Sequence, residues 1–247
     1  RDRIRWREFR RVLFRSDVNW VAFRQWNSPL LNDYVNDIKC EENTGNIWIA
    51  TRSGVNKFDG FVGWTNYVYD SVNVTYPYGP INCVEIDEYN NKWFWSPYMG
   101  IYLLQDTTWT NMYYSPEYNF LSNSIVCSAI APNGYIWLGH EKSYYSEEKT
   151  LPRGFSYYNG SNWVLYPNLL NYNILYDIYV DERGYKWVCT DNGLFRFKDA
   201  NNIQVFNTSN SGIKSNNIQD VVRDKDGIVW SATAGGGLVK YKGDRGR

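Results

Sequence analysis

A single histidine and two methionines in 247 residues leave this chain few groups for acid–base work at neutral pH or for soft metal ligation. Its four cysteines, Cys40, Cys83, Cys127 and Cys189, form no CxxC pair and no cysteine–histidine cluster. That argues against a structural zinc site, and nothing else in the sequence calls for a cofactor. No stretch approaches the ~18 consecutive apolar residues of a membrane-spanning helix. The amino terminus has no apolar segment ending in small residues, as a secretory leader would. No helical periodicity interrupts the chain, which leaves an all-β reading.

Aromatic residues are what the sequence has in excess, with 12 tryptophans and 22 tyrosines. Much of that excess is periodic. The stretch TGNIWIATRSGVNKFDG (44–60) returns in altered form at 89–104, 132–160, 182–199 and 225–243. Its anchors are Trp48, Trp93, Trp137, Trp187 and Trp230, at intervals of 45, 44, 50 and 43 residues. A period in the forties marks four-stranded units that cannot bury both faces alone and must stack, as in a β-propeller. The five tryptophans are therefore expected as wedges between blades. The final unit shows the strands most clearly, with Ile218–Arg223, a turn at 224–227, Ile228–Thr233 and Leu238–Lys242. An aromatic strand, the fourth of a blade, opens each unit, at 19–26, 63–69, 108–114, 162–167 and 203–207, and Trp20–Trp26 can serve as the outer strand of a preceding blade. The units run approximately 20–60, 61–107, 108–160, 161–200 and 201–247.

The pattern NSPLLNDYVNDIKCEENTGNIWIATRSGVNKFDG resembles the two-component regulator propeller repeat, most closely at Asn27, Ser28, Leu30, Asn32 and Val35, and again at Asn210, Ser211, Asn216 and Ile218. Two departures occur in the middle of the chain. Ala131 stands where other units carry Asp87, Asp181 and Asp224, and Ser96 and His140 replace Thr51, Thr190 and Thr233. The resemblance implies an extracytoplasmic, typically Bacteroidetes-like module, periplasmic or extracellular. Such modules serve in signal transduction ahead of a membrane span and histidine kinase, or in secreted surface proteins.

Residues 1–16 have no counterpart in the repeats. Seven arginines fall there, and Glu8–Ser16 resembles the in-frame translation of a sequencing adapter, so the segment is expected to be a non-native extension. Without it the chain has 19 basic and 24 acidic residues, a net charge of −5, which argues against a nucleic-acid partner. A membrane is expected as a partner only through a segment outside this chain. Both ends read as truncated, and an open arc of five blades from a larger propeller is expected.

The loops between blades and between the middle strands share one end of a propeller, the end that usually carries function. In the third unit the middle loop is long, with 17 residues from Trp137 to Gly154 where the other units use six or seven. It contributes His140, Glu141, Lys142, Tyr144 and Tyr145. Tyr76, Tyr78, Tyr98, Tyr118, Phe120 and Tyr172 lie on loops of the same end. Flat rings beside carboxylates and amides suit an oligosaccharide. A surface loop covering a neighbouring blade, or a histidine held within the sheet, explains part of this set equally well. Two further readings compete with a ligand-binding sensor: a secreted scaffold, and a lyase or glycosidase using His140 and Glu141 as an acid–base pair. Asp37, Asp177 and Asp220 recur at one position of the first strand, held by Cys83 and Cys127 in the other two units. A backbone-satisfying role fits that recurrence better than a cation site does. Cys83 and Cys127 read as free thiols rather than as a disulfide.

Overall fold

The computed structural model describes residues 21–70, 72, 76–112, 121–141, 153–167, 169–170 and 173–242. These residues form nineteen antiparallel strands in five sheets. Blade one contains β1 (Val35–Cys40), β2 (Ile47–Thr51), β3 (Gly54–Phe58) and β4 (Trp64–Tyr67); blade two contains β5 (Cys83–Ile86), β6 (Lys92–Ser96), β7 (Gly100–Gln105) and β8 (Thr108–Met112). Blade three contains β9 (Ile125–Ile130), β10 (Ile136–His140), β11 (Gly154–Tyr158) and β12 (Trp163–Pro167); blade four contains β13 (Leu175–Val180), β14 (Lys186–Thr190), β15 (Gly193–Phe197) and β16 (Ile203–Phe206). Blade five has three strands, β17 (Ile218–Arg223), β18 (Val229–Thr233) and β19 (Gly237–Tyr241).

The sheets are one strand out of phase with the sequence units: the aromatic strand that opens a unit pairs with the strand before it and completes the preceding sheet. The expected opening strand at 19–26 is not formed over its described part. Residues 21–26 run as coil into a turn closed by Asn27, and Phe23 lies 5.3 Å from Phe58 and 5.4 Å from Trp64. Among the described residues no inner strand pairs with this segment, and its ring packs on blade one.

The wedges are where the repeat puts them. Trp48 packs with Val84, Phe94 and Tyr102 of blade two, Trp93 with Ile125 and Leu138 of blade three, Trp137 with Ile178 and Val188 of blade four, and Trp187 with Val221 and Val229 of blade five. Each of these four is almost fully buried, whereas Trp230 in the last blade is only half-buried. The indole N–H groups of four of the five, all but Trp137, are fixed by the acid at the start of the preceding hairpin. Trp93 donates to Asp87 at 2.9 Å, Trp187 to Asp181 at 3.1 Å, Trp230 to Asp224 at 2.8 Å and, more loosely, Trp48 to Glu41 at 3.5 Å.

First strands of successive blades lie side by side. Asp37 stitches one such pair by accepting the Val84 N–H at 2.8 Å, and Asp177 accepts the Val221 N–H in the same way. These aspartates therefore serve the backbone between blades. Burial and then the neighbouring Asp220 carboxylate push Asp177 up to about 7. Among the described residues, no group of three or more histidine, cysteine or acidic side chains could hold a metal ion.

The five blades make an open arc. Ile38, on the leading face of blade one, is 59% exposed, while its counterparts Val84, Ile178 and Val221 are buried against the blade before them. Leu238, on the trailing face of blade five, is 68% exposed, while Val55, Ile101, Phe155 and Leu194 are sealed by the blade after them.

Candidate functional site

Lys142, Tyr144, Tyr145, Tyr118, Phe120 and Tyr172 lie outside the described residues. His140 is the last residue of β10 and is fully buried. Its Nδ1 stands 2.9 Å from the Ser122 carbonyl oxygen, which can only accept, so Nδ1 carries the hydrogen; Nε2 then accepts from the Ser156 hydroxyl at 2.6 Å. Burial lowers its pKa to about 3, so the ring is neutral. In other blades a threonine at this place bonds across the tight β2–β3-type turn, Thr51 to Gly54 and Thr190 to Gly193. Where the turn has become a long loop, His140 reaches sideways within its own blade instead. It presents no surface to a ligand and has no acid–base role in this geometry.

Glu141 is likewise occupied. One carboxylate oxygen accepts the Leu175 N–H of blade four at 3.0 Å, and the other lies 2.9 Å from Arg153 Nε, at ion-pair distance but not aligned as a hydrogen bond. The two ends of the inserted loop are thus tied together and to the next blade.

Tyr76 packs edge-on to Tyr67 and against Trp109, as part of the wedge cluster between blades one and two. Tyr78 and Tyr98 are about half exposed. The Tyr78 ring lies edge-on to Tyr69, and its backbone N–H donates to the Tyr102 hydroxyl at 3.1 Å. All four cysteines are free. Cys83 faces the Val126 carbonyl oxygen at 3.7 Å, and burial pushes the thiols of Cys83, Cys127 and Cys189 up, so they stay protonated.

Two clefts among the described residues lie elsewhere, at the ends of the blades that carry the β1–β2 and β3–β4-type hairpins. Between blades two and three is a cleft of about 580 Å³, within the usual range for a small-molecule site. Trp93, Tyr158 and Trp163 form its aromatic wall, with Tyr158 to Trp163 at 5.2 Å and Trp93 to Tyr158 at 6.0 Å. Asn91, Thr110, Ser161 and Asn162 supply amides and hydroxyls, and Asp87 and Glu88 supply carboxylates. No lysine or arginine is among its described lining residues. A second cleft, of about 430 Å³, lies between blades three and four. Sequence reasoning missed both. The repeat assigns Trp93 and Trp137 to packing, and a rim that these residues share with turn residues of the next blade has no linear signature.

Residues 212–235 match the family described as two component regulator propeller. No curated protein matches. Among solved structures, the fold is similar to the extracellular domain of a protein described as a hybrid two component system from B. thetaiotaomicron, at 18% identity and a TM-score of 0.71, over 87% of this chain and 29% of that one. It is also similar to PorZ, a bacterial surface component of the type-IX secretion system of Porphyromonas gingivalis, at 21% identity and TM-score 0.66, over 92% and 34%. Virginiamycin B lyase from Staphylococcus aureus is a third, at 14% identity and TM-score 0.60, over 85% and 70%. These structural likenesses show the fold, a β-propeller, and the family match itself covers residues 212–235. The chain spans about a third of the first two proteins.

Proposed function

We propose that this chain is the ligand-binding part of an extracytoplasmic sensor propeller, and that its ligand is a neutral oligosaccharide held in the cleft between blades two and three. The observation that carries the reading is the wall formed by Trp93, Tyr158 and Trp163 beside amides, hydroxyls and two carboxylates, with no cation among the described lining residues. Sugar C–H faces stack on such rings while amides and acids take the hydroxyls. The repeat match at 212–235 and the likeness to sensor extracellular domains support the sensing role and the compartment. The test is a glycan array on the chain, repeated on Trp163→Ala and on a deletion of residues 142–152. Binding lost in Trp163→Ala and kept in the deletion supports this cleft; the reverse moves the site to the inserted loop.

A scaffold role has its own support in the uncovered end faces at Ile38 and Leu238, which suit contact with further blades. A lyase or glycosidase built on His140 and Glu141 has none, because the histidine is sealed and neutral and the glutamate is held by Leu175 and Arg153.

A further inference from the structure

In three blades the acid that opens the first hairpin makes the same contacts. Asp181 accepts the N–H groups of Arg183 and Tyr185 at 2.9 Å with one oxygen and the Trp187 indole with the other; Asp87 serves Tyr89, Asn91 and Trp93, and Asp224 serves Asp226, Ile228 and Trp230. Blade three keeps the backbone of this turn. Ala131 N donates to Tyr135 O at 2.8 Å, and Gly134 N to Ala131 O at 2.8 Å, as Asp181 and Gly184 do in blade four. The carboxylate is missing. Asn133 Oδ1 takes over the Tyr135 N–H at 3.2 Å, but no acceptor among the described residues lies at the Trp137 indole N–H.

That vacant acceptor position opens into the cleft between blades three and four, which is lined by Ala131 and Trp137 themselves. Rings stand along the same cleft: Tyr135 stacks on Tyr157 at 5.4 Å, Tyr157 on Trp137 at 4.7 Å, and Trp137 on Tyr166 at 5.9 Å. The charge here is opposite to that of the neighbouring cleft. Lys186, with its ammonium 4.5 Å from the Trp137 ring centre and donating to the Lys198 carbonyl at 2.8 Å, joins Arg183 and Lys198, and the only acid among the described lining residues, Glu182, is paired outward to Arg223.

We infer that the cleft between blades three and four binds a small ring-bearing carboxylate, whose carboxylate takes the place of the acid missing at Ala131. Its oxygens accept from the Trp137 indole and lie among Lys186, Lys198 and Arg183, while its ring lies on the tyrosines. A charge-assisted hydrogen bond in a partly buried cleft separates acid from ester strongly. A sugar acid and an aromatic acid share this chemistry. The site is separate from the neutral-sugar cleft and does not depend on it.

The test is calorimetric titration of the full chain with glucuronate and with phenylacetate, each against its uncharged counterpart, methyl glucuronate and phenylacetamide. At least one acid binds, at least tenfold tighter than its counterpart, and which one it is identifies the ring. Ala131→Asp restores the internal acid and weakens that binding at least tenfold, with an unchanged or higher melting temperature; Lys186→Gln weakens it as well. Neither acid binding, equal binding of acid and counterpart, or full affinity in Ala131→Asp would overturn the assignment.

Discussion

The Trp187 indole donates to the Asp181 carboxylate at 3.1 Å, and both residues are almost completely buried at the junction of blades four and five. The acid holds the hairpin and the wedge in one geometry, so removing it strands two backbone N–H groups and an indole together. Asp181→Ala should therefore lower stability by ~1–3 kcal/mol, the cost of leaving buried donors unsatisfied. Urea denaturation checks this. Asp181→Asn, which keeps an acceptor, should lose less.

His140 makes the fold sensitive to acid. Its pKa lies at about 3 in the folded chain against an ordinary value of 6.5, so the unfolded chain takes up a proton that the folded one refuses. This contribution to stability is complete above pH 6.5 and falls by about 1.4 kcal/mol per pH unit between there and pH 3. Replacing it with the repeat's own residue, His140→Thr, should flatten the stability profile over that window relative to the parent. Parallel profiles for the two proteins would refute the effect.

Asp177 acts in the opposite sense. Its raised pKa means the folded chain holds the proton after the unfolded chain has released it, so stability present below pH 3.8 is lost as pH rises toward 7. Asp177→Asn should be more stable than the parent at pH 8, with the difference vanishing near pH 3.5, as thermal melts across that range would show.

Leu194 and Leu238 occupy the same place in successive blades, 3% and 68% exposed. Leu194→Ala should cost ~2–5 kcal/mol, as core truncations do. Leu238→Ala should stay within ~0.5 kcal/mol of the parent. Comparable losses in both would mean that the trailing face is covered in solution.

The blade pattern was legible because period-two alternation, Gly-containing turns and the tryptophan interval all describe one unit. The Asn-Ser signature is legible for the same reason. Asn27 and Asn210 each cap a turn through a backbone N–H three residues back, at 2.7 and 2.9 Å, and Ser28 and Ser211 each donate to the carbonyl four residues back. The place of the aromatic strand at the outer edge of the preceding blade was legible from the order of strands and loops, whereas the failure of 21–26 to form a strand was not, because it depends on contacts between units. The candidate site was legible only in part. His140 stood out as the lone histidine on the long loop's edge, yet rarity in a sequence says nothing about burial. Ala131 stood out as a departure from the repeat, and only the retained backbone of its turn shows that the departure leaves an unfilled acceptor position.

The most direct test of the sensor reading is a nitrogen–proton correlation spectrum of the tryptophan indoles during titration with the neutral oligosaccharides that score on a glycan array. Binding in the cleft between blades two and three shifts the Trp163 and Trp93 signals, assigned by substitution, and leaves those of Trp48 and Trp187 in place. Saturating ligand with no change at Trp163 or Trp93 would contradict the account.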